Sequence, residues 1–224
     1  MTATVSDIST DTIETTPLAT RLKEGTRQIH SDAENMRFIS ELMGGKLNVA
    51  AYRDLAIQQH YIYAALEQAT EDIAGMPQAD TLTFAELTRS PSIAQDLEFL
   101  VGPDWAEQIQ PLPATLVYVE RLRQSSGSLA RYAAHAWTRY LGDLSGGQVI
   151  KVMMQRHYGM GQDGLNFYDF KEIVKAKPFK DLYRERLNGL QLTETEIEEA
   201  VAEALVAFEL NQKMFAELGA IHCN

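Results

Sequence analysis

The chain has one cysteine in 224 residues, Cys223, with a single residue after it. One thiol excludes an internal disulfide framework and a cysteine-based zinc site. Long apolar runs are missing too. No stretch reaches the ~18 uninterrupted apolar residues of a membrane span, so no membrane anchor is expected. Basic residues are scarce, 20 Lys and Arg against 31 Asp and Glu, for a net charge of -11. That balance argues against a general nucleic-acid binder, which needs a basic surface to displace counterions. The first seventeen residues carry Asp7, Asp11 and Glu14 and lack the basic start and apolar middle of a signal peptide. They read as a disordered tail on a cytoplasmic protein.

What is present is helical spacing. With 45% hydrophobic residues the chain can bury a core, and alternating strand patterns are nearly absent. Thr16-Pro17 opens a helix carried by Leu22, Thr26, Ile29 and His30 to about Glu34. After Gly44-Gly45, Asn48 caps a second helix that Gly75-Met76-Pro77 ends. A third is expected over 82–100, stopped by Gly102-Pro103, and a fourth over 114–123. A longer helix runs from Leu129 to about Tyr158, interrupted by Gly142 and Gly146-Gly147. Pro178 opens a short helix ending near Gly189. Thr193-x-x-Glu196 is a capping box for the last helix, expected to stop at Gly219. No linker is long enough to divide domains, so the reading is one all-α domain over 18–219 with tails 1–17 and 220–224. Nothing points beyond a monomer.

Charge is uneven. Arg121, Arg123, Arg131, Arg139, Lys151 and Arg156 face only Asp143 within their own stretch, and 171–186 is also basic. The last helix is rich in Glu. A basic half in an acidic protein suggests an anionic ligand or an acidic partner, or simply solvated faces.

Gly142-Asp143-Leu144-Ser145-Gly146-Gly147 is no phosphate loop, because the Lys-Ser/Thr ending and a preceding strand are missing. Three glycines in a helix cost about 1 kcal/mol each relative to alanine, so something offsets that cost. Gly142 and Gly146 share one face and admit a close neighbour, either another helix or a flat ligand. Arg139 lies on that face and Asp143 on its flank. They form either a surface ion pair or a proton-delivery group and its orienting partner. His30, with Thr26 and Glu34 at i−4 and i+4, is either a surface His–Glu pair or a metal-bound imidazole with its carboxylate partner. His135, on the glycine face two turns earlier, is the rival ligand. There is no H-E-x-x-H, and a single axial histidine to a heme needs no ligand cluster.

The run Ala134-His135-Ala136-Trp137-Thr138-Arg139-Tyr140-Leu141-Gly142-Asp143-Leu144-Ser145-Gly146-Gly147 resembles the heme (haem) oxygenases, in their soluble bacterial form. The resemblance extends to Lys23 through His30, Ala33-Glu34-Asn35, Ile62 through Glu67, Phe179 through Arg184 and Ala207 through Asn211, spanning about 18–219. It implies a helical fold with heme sandwiched between a proximal and a distal helix. His30 would be the axial ligand of the heme iron, with Glu34 near its second nitrogen. Gly142 and Gly146 would lie over the opposite face, and Asp143, Tyr63 and Arg139 would share a proton network there. Lys23, Lys180 and Arg184 would pair the propionates, beside Thr26. Phe208 and Phe215 would close the pocket, with Asn211 as a polar contact between them. Trp137 stands where relatives carry a tyrosine near a propionate, so anchoring there would differ. The implied reaction consumes O2 and external electrons from an acidic ferredoxin or flavoprotein reductase and yields biliverdin, expected as the α isomer, carbon monoxide and ferrous iron. A non-catalytic heme carrier or gas sensor would keep His30 but need neither Asp143 nor the glycines. A helical interaction module would need no prosthetic group.

Overall fold

The computed structural model describes residues 16–223 and is helical, with no strand among them. The first seventeen residues therefore lie almost wholly outside the described part. Eleven α-helices follow in order among the described residues: α1 (Leu18–Gly25), α2 (Arg27–Glu34), α3 (Arg37–Met43), α4 (Val49–Asp72), α5 (Ser90–Leu100), α6 (Trp105–Gln108), α7 (Pro113–Ser125), α8 (Leu129–Gly142), α9 (Gln148–Tyr158), α10 (Ala176–Asn188) and α11 (Glu194–His222).

The caps sit where short polar side chains can accept orphan amides. The Asn48 side chain accepts from the Ala51 amide, and Ser128 from that of Arg131. Thr193 and Glu196 close a reciprocal capping box at the start of α11. The core is built where α8 lies along α11 and where α4 packs against α5 and α7. Both α8 and α11 bury alanines, with Ala133, Ala134, Ala136, Ala200, Ala204 and Ala207 fully buried. Small residues let these helices approach closely and leave room for the large side chains set among them.

Four expectations need correction. The first helix breaks at Thr26, which separates α1 from α2. The Thr26 hydroxyl donates to the Leu22 carbonyl at 2.7 Å and competes with the helical ladder. At Gly25 a Cβ atom would stand 2.7 Å from Val201, so glycine lets α1 press on α11. The stretch over 82–100 becomes α-helical only from Ser90, after a single 3-10 turn at Ala85–Leu87, with Pro91 in the first turn. Glu67 of α4 accepts from the Arg89 and Ser90 amides there, a cap supplied from another helix. The last helix does not stop at Gly219. It runs to His222, whose Nε2 meets Asp54 at 2.9 Å, so residues 220–222 are helix rather than tail. Finally, α3 and α6 are short helices that the periodicity did not indicate.

The long helix over 129–158 is divided by a π-helical turn, Asp143–Gly147, between α8 and α9. Wider turns of this kind are frequent at functional sites. Here three glycines relax the backbone, and the neighbours take up its carbonyls. Gln148 donates to the Asp143 carbonyl at 3.2 Å and Lys180 to that of Leu144 at 3.4 Å. Among the described residues no helix is long and apolar enough to cross a membrane.

Candidate active site

The α1–α2 arm and the end of α8 face each other across a cleft of about 700 Å³. His30 stands on one wall, and Gly142 and Gly146 on the other. Lys23, Thr26, Trp137, Arg184 and Phe208 complete the lining named from the sequence. The glycines exclude one of the two neighbours expected for them, a packed helix. A Cβ atom at Gly142 or Gly146 would meet nothing within 4 Å, so neither position admits a neighbouring helix. Gly147 differs: a Cβ there would come within 3.1 Å of the Tyr168 ring, which makes it the packing glycine of the three.

His30 is half exposed to the cleft, its Nδ1 is 3.6 Å from the Glu34 carboxylate, and its ring meets Phe208 edge-on at 5.5 Å. His135 fails as a rival ligand. Its side chain is fully buried, and its Nε2 lies 2.7 Å from Glu203, which also takes Arg121. Burial pulls the His135 imidazole below its ordinary pKa. Burial opposes the Glu203 charge, but His135 and Arg121 hold its carboxyl down at about 2. This is a structural ion cluster joining α7, α8 and α11.

A side chamber of about 160 Å³ opens from the cleft between the glycines and α11, lined by Arg139, Asp143, Glu34, Asn211 and Phe215. Arg139 and Asp143 do not form the i,i+4 ion pair that their spacing allows. The Tyr63 hydroxyl donates to the Asp143 carboxylate, while Arg139 donates to Asn211 at 2.8 Å and lies 4.8 Å from the Tyr63 ring centroid. Burial raises the Asp143 carboxyl to about 6 against the opposing pull of Arg139 and Tyr63. Burial also opposes the Arg139 charge, yet Tyr63 and Asp143 hold its guanidinium protonated. Tyr63 is fully buried behind Asp143 and lines neither cavity. Lys180 also stays off the lining and donates to Ser145 on the rim at 3.0 Å.

A model of the heme oxygenase family matches residues 16–217. The chain belongs to the heme oxygenase family. It is 41% identical over 203 residues to the heme oxygenase of Porphyra purpurea, covering 90% of this chain and 86% of that one. Identity is 38% over 202 residues to heme oxygenase 1 of Synechocystis sp., covering 90% and 84%. The solved structure of heme oxygenase-1 from the cyanobacterium Synechocystis sp. PCC6803 in complex with heme superposes with a TM-score of 0.88 at 37% identity, over 92% of this chain and 94% of that one.

Several residues in this heme oxygenase fold line the site without having been singled out. Arg27, Thr20 and Asn188 face the main cleft, and Gln59, Ile150 and Tyr168 the chamber. Arg27 was reachable, since it follows Lys23 by one helical turn. Gln59 and Tyr168 arrive from α4 and a loop, and no spacing rule links them to the glycine run. The basic tract is also less free than it reads. Arg121, Arg131 and Lys151 pair with Glu203, Glu199 and Asp169, so acids distant in sequence neutralise much of it.

Proposed function

We propose that this enzyme cleaves heme with O2 and external electrons to biliverdin, carbon monoxide and ferrous iron, taking heme as both substrate and prosthetic group. The observation that carries this reading is the imidazole of His30 facing two glycines across a cleft whose missing Cβ atoms leave open space. A flat macrocycle suits that gap, and a single imidazole suits a heme iron without a ligand cluster.

His30 would hold the iron, with Glu34 positioned to take its second ring N–H and fix the tautomer. Lys23 and Arg184 on the lining would supply cations for two propionates, Lys180 would reach them only by leaving Ser145 on the rim, and the Trp137 indole N–H is a further donor. When bound, heme supplies the iron centre for O2 and the ring that is opened. The chain contributes a proton store beside that face. Asp143, with its carboxyl near pH 6, exchanges protons readily around neutrality, and Tyr63 holds one of its oxygens. Arg139 and Asn211 brace the pair from the α11 side. Gly142 and Gly146 would leave room over the bound heme on that side, since a Cβ at either position meets open space. The α isomer is the expected product, on the strength of the Arg139–Gly147 run.

Exposed Lys175, just before α10, with Arg27 and Arg184 lining the cleft, supports an acidic ferredoxin or flavoprotein as electron donor. The single cysteine suits a reducing, cytoplasmic setting, and the chain is expected to act as a monomer. The test is anaerobic reconstitution with hemin, then air and a reductant, with the visible spectrum followed. The expected result is decay of the Soret band into bilin absorption with release of carbon monoxide. A stable, unconverted complex would make the protein a carrier or sensor, and absence of hemin binding would overturn the reading from His30 outward.

A further inference from the structure

Behind the distal wall lies a five-residue segment, 166–170, that touches no part of the main cleft and is held by more polar contacts than a connecting loop needs. The buried Asp96 carboxylate accepts from the Asn166 amide at 2.8 Å, the Asn166 side chain at 2.9 Å and the Phe167 amide at 2.7 Å. From the other side comes Arg89, only 5% exposed. Its guanidinium donates to the carbonyls of Phe167 at 3.2 Å and Asp169 at 2.9 Å, and to those of Leu87 and Glu86 at 3.2 and 3.3 Å. It also lies 4.0 Å over the Phe170 ring. All four hydrogen bonds go to neutral carbonyls, so a buried positive charge is held without a carboxylate hydrogen-bonded to it.

A cation in that position is costly, since desolvating a guanidinium takes several kcal/mol. Tethering alone does not require the charge. The segment presents two rings toward the distal site. Phe167 packs edge-on against Tyr63 at 5.1 Å, and Tyr168 presses on Gly147 and lines the chamber beside Asp143. Gln148 completes the connection, with one amide group donating to the Tyr168 and Asp143 carbonyls at 3.0 and 3.2 Å. The segment is thus stapled to the backbone of Asp143 and wedged against its hydrogen-bond partner.

We propose that Arg89 is a positioning residue for the Tyr63–Asp143 pair. It clamps segment 166–170 so that Phe167 and Tyr168 fix the pair from behind, and it supplies positive charge on the side away from the cleft. The proposal rests on the role given to Asp143 above. The other ionisable groups around that carboxyl are Tyr63 from α4, Tyr118 from α7, Arg139 and Tyr140 from α8, and Tyr168 from the segment itself. Arg139 and Arg89 are the two cations that favour its ionised form.

The test uses the full chain without heme, so it reads independently of heme turnover. Carboxyl-labelled aspartate NMR follows the titration of Asp143, and hydrogen exchange follows the amides of 143–148 and 166–170. Arg89→Met is expected to move the Asp143 midpoint to higher pH and speed exchange in both stretches, with helix content unchanged. Arg89→Lys is expected to bring the midpoint back toward wild type without restoring protection, because it keeps the charge and loses the fork of donors. An unmoved midpoint in folded Arg89→Met overturns the proposal. Should that variant fail to fold, Arg89→Lys and Gln148→Leu decide. Faster exchange in both stretches supports the clamp, and unchanged protection in both variants overturns it. Failure of wild type to bind hemin would count against the proposed function and leave these readouts intact.

Discussion

Two histidine–glutamate pairs face opposite worlds in this protein. His30 and Glu34 sit one turn apart on α2, half exposed and 3.6 Å apart. His135 and Glu203 join two helices in the core at 2.7 Å, both almost fully buried. The buried pair is saturated by its surroundings and serves cohesion. The exposed pair is loosely engaged and looks onto an open cleft. Proximity of an imidazole to a carboxylate therefore says little about its role, and the open side of the ring says more. The glycines repeat the lesson over a few residues, since Gly142 and Gly146 face open space while Gly147 faces Tyr168.

The sharpest way to break this contrast is to remove each histidine in turn. His30→Ala is expected to abolish the axial imidazole signature in the hemin complex while leaving thermal stability nearly unchanged. His135→Ala is expected to do the reverse, keeping the Soret band and losing on the order of 3 kcal/mol because Glu203 loses a buried partner. A Soret band unaffected by His30→Ala would remove His30 as the ligand. The buried cluster also has a pH signature. The Glu203 carboxyl is held at about 2 against an ordinary 4.5, so its stabilisation is present above pH 4.5 and drains away as the pH falls toward 2. In Glu203→Gln the difference in Tm from wild type should therefore be full at neutral pH and close over that acid window.

Asp143 tests the other direction. Its carboxyl is raised from 3.8 to about 6, so ionising it costs the folded state. The cost is absent below pH 3.8, grows through the interval and is complete above pH 6. Asp143→Asn should match wild type in stability at pH 3.5 and exceed it at pH 8, by up to about 3 kcal/mol. Biliverdin formation should fall by roughly 100-fold or more, as expected for loss of a general acid. Stability lost at pH 8, or turnover retained, would count against a strained proton donor.

The smallest effects separate the glycines. Gly142→Ala should stabilise the heme-free protein by up to about 1 kcal/mol through helix propensity, because its Cβ meets open space. Gly147→Ala should lose that gain, because its Cβ reaches the Tyr168 ring at 3.1 Å. Equal thermal shifts in the two variants would dissolve the distinction between ligand-facing and packing glycines.

Local order was the legible part of the sequence. Asn48, the Thr193–Glu196 box and the glycine run announce themselves because caps and helix breakers act within a few residues. The His30–Glu34 and Gly142–Gly146 spacings were readable for the same reason. Long-range partners were not. That Glu67 caps α5, that Glu203 consumes His135 and that Arg139 turns to Asn211 depend on which helices pack together. Spacing put Arg139 and Asp143 within reach of each other, and burial gave each a better partner elsewhere. Gly219 misled for a simpler reason: glycine only permits a helix to end, and the His222–Asp54 contact carries this one past it.

The π-helical turn also sets the angular phase of everything after it. A straight α-helix advances about 100° per residue, and a wide turn spends one extra residue without advancing its axis in proportion. Side chains on α8 and α9 therefore cannot be projected onto a single wheel. Met154, fully buried, and Val152, half exposed, keep their directions only while the turn stays wide enough to absorb that extra residue. Straightening 143–147 into plain α-helix with all five residues kept would rotate the whole of α9 by about one residue's arc, whereas deleting one of them would let α8 run into α9 nearly in phase. The width of this short turn, as much as its composition, is what keeps α9 in register with the core.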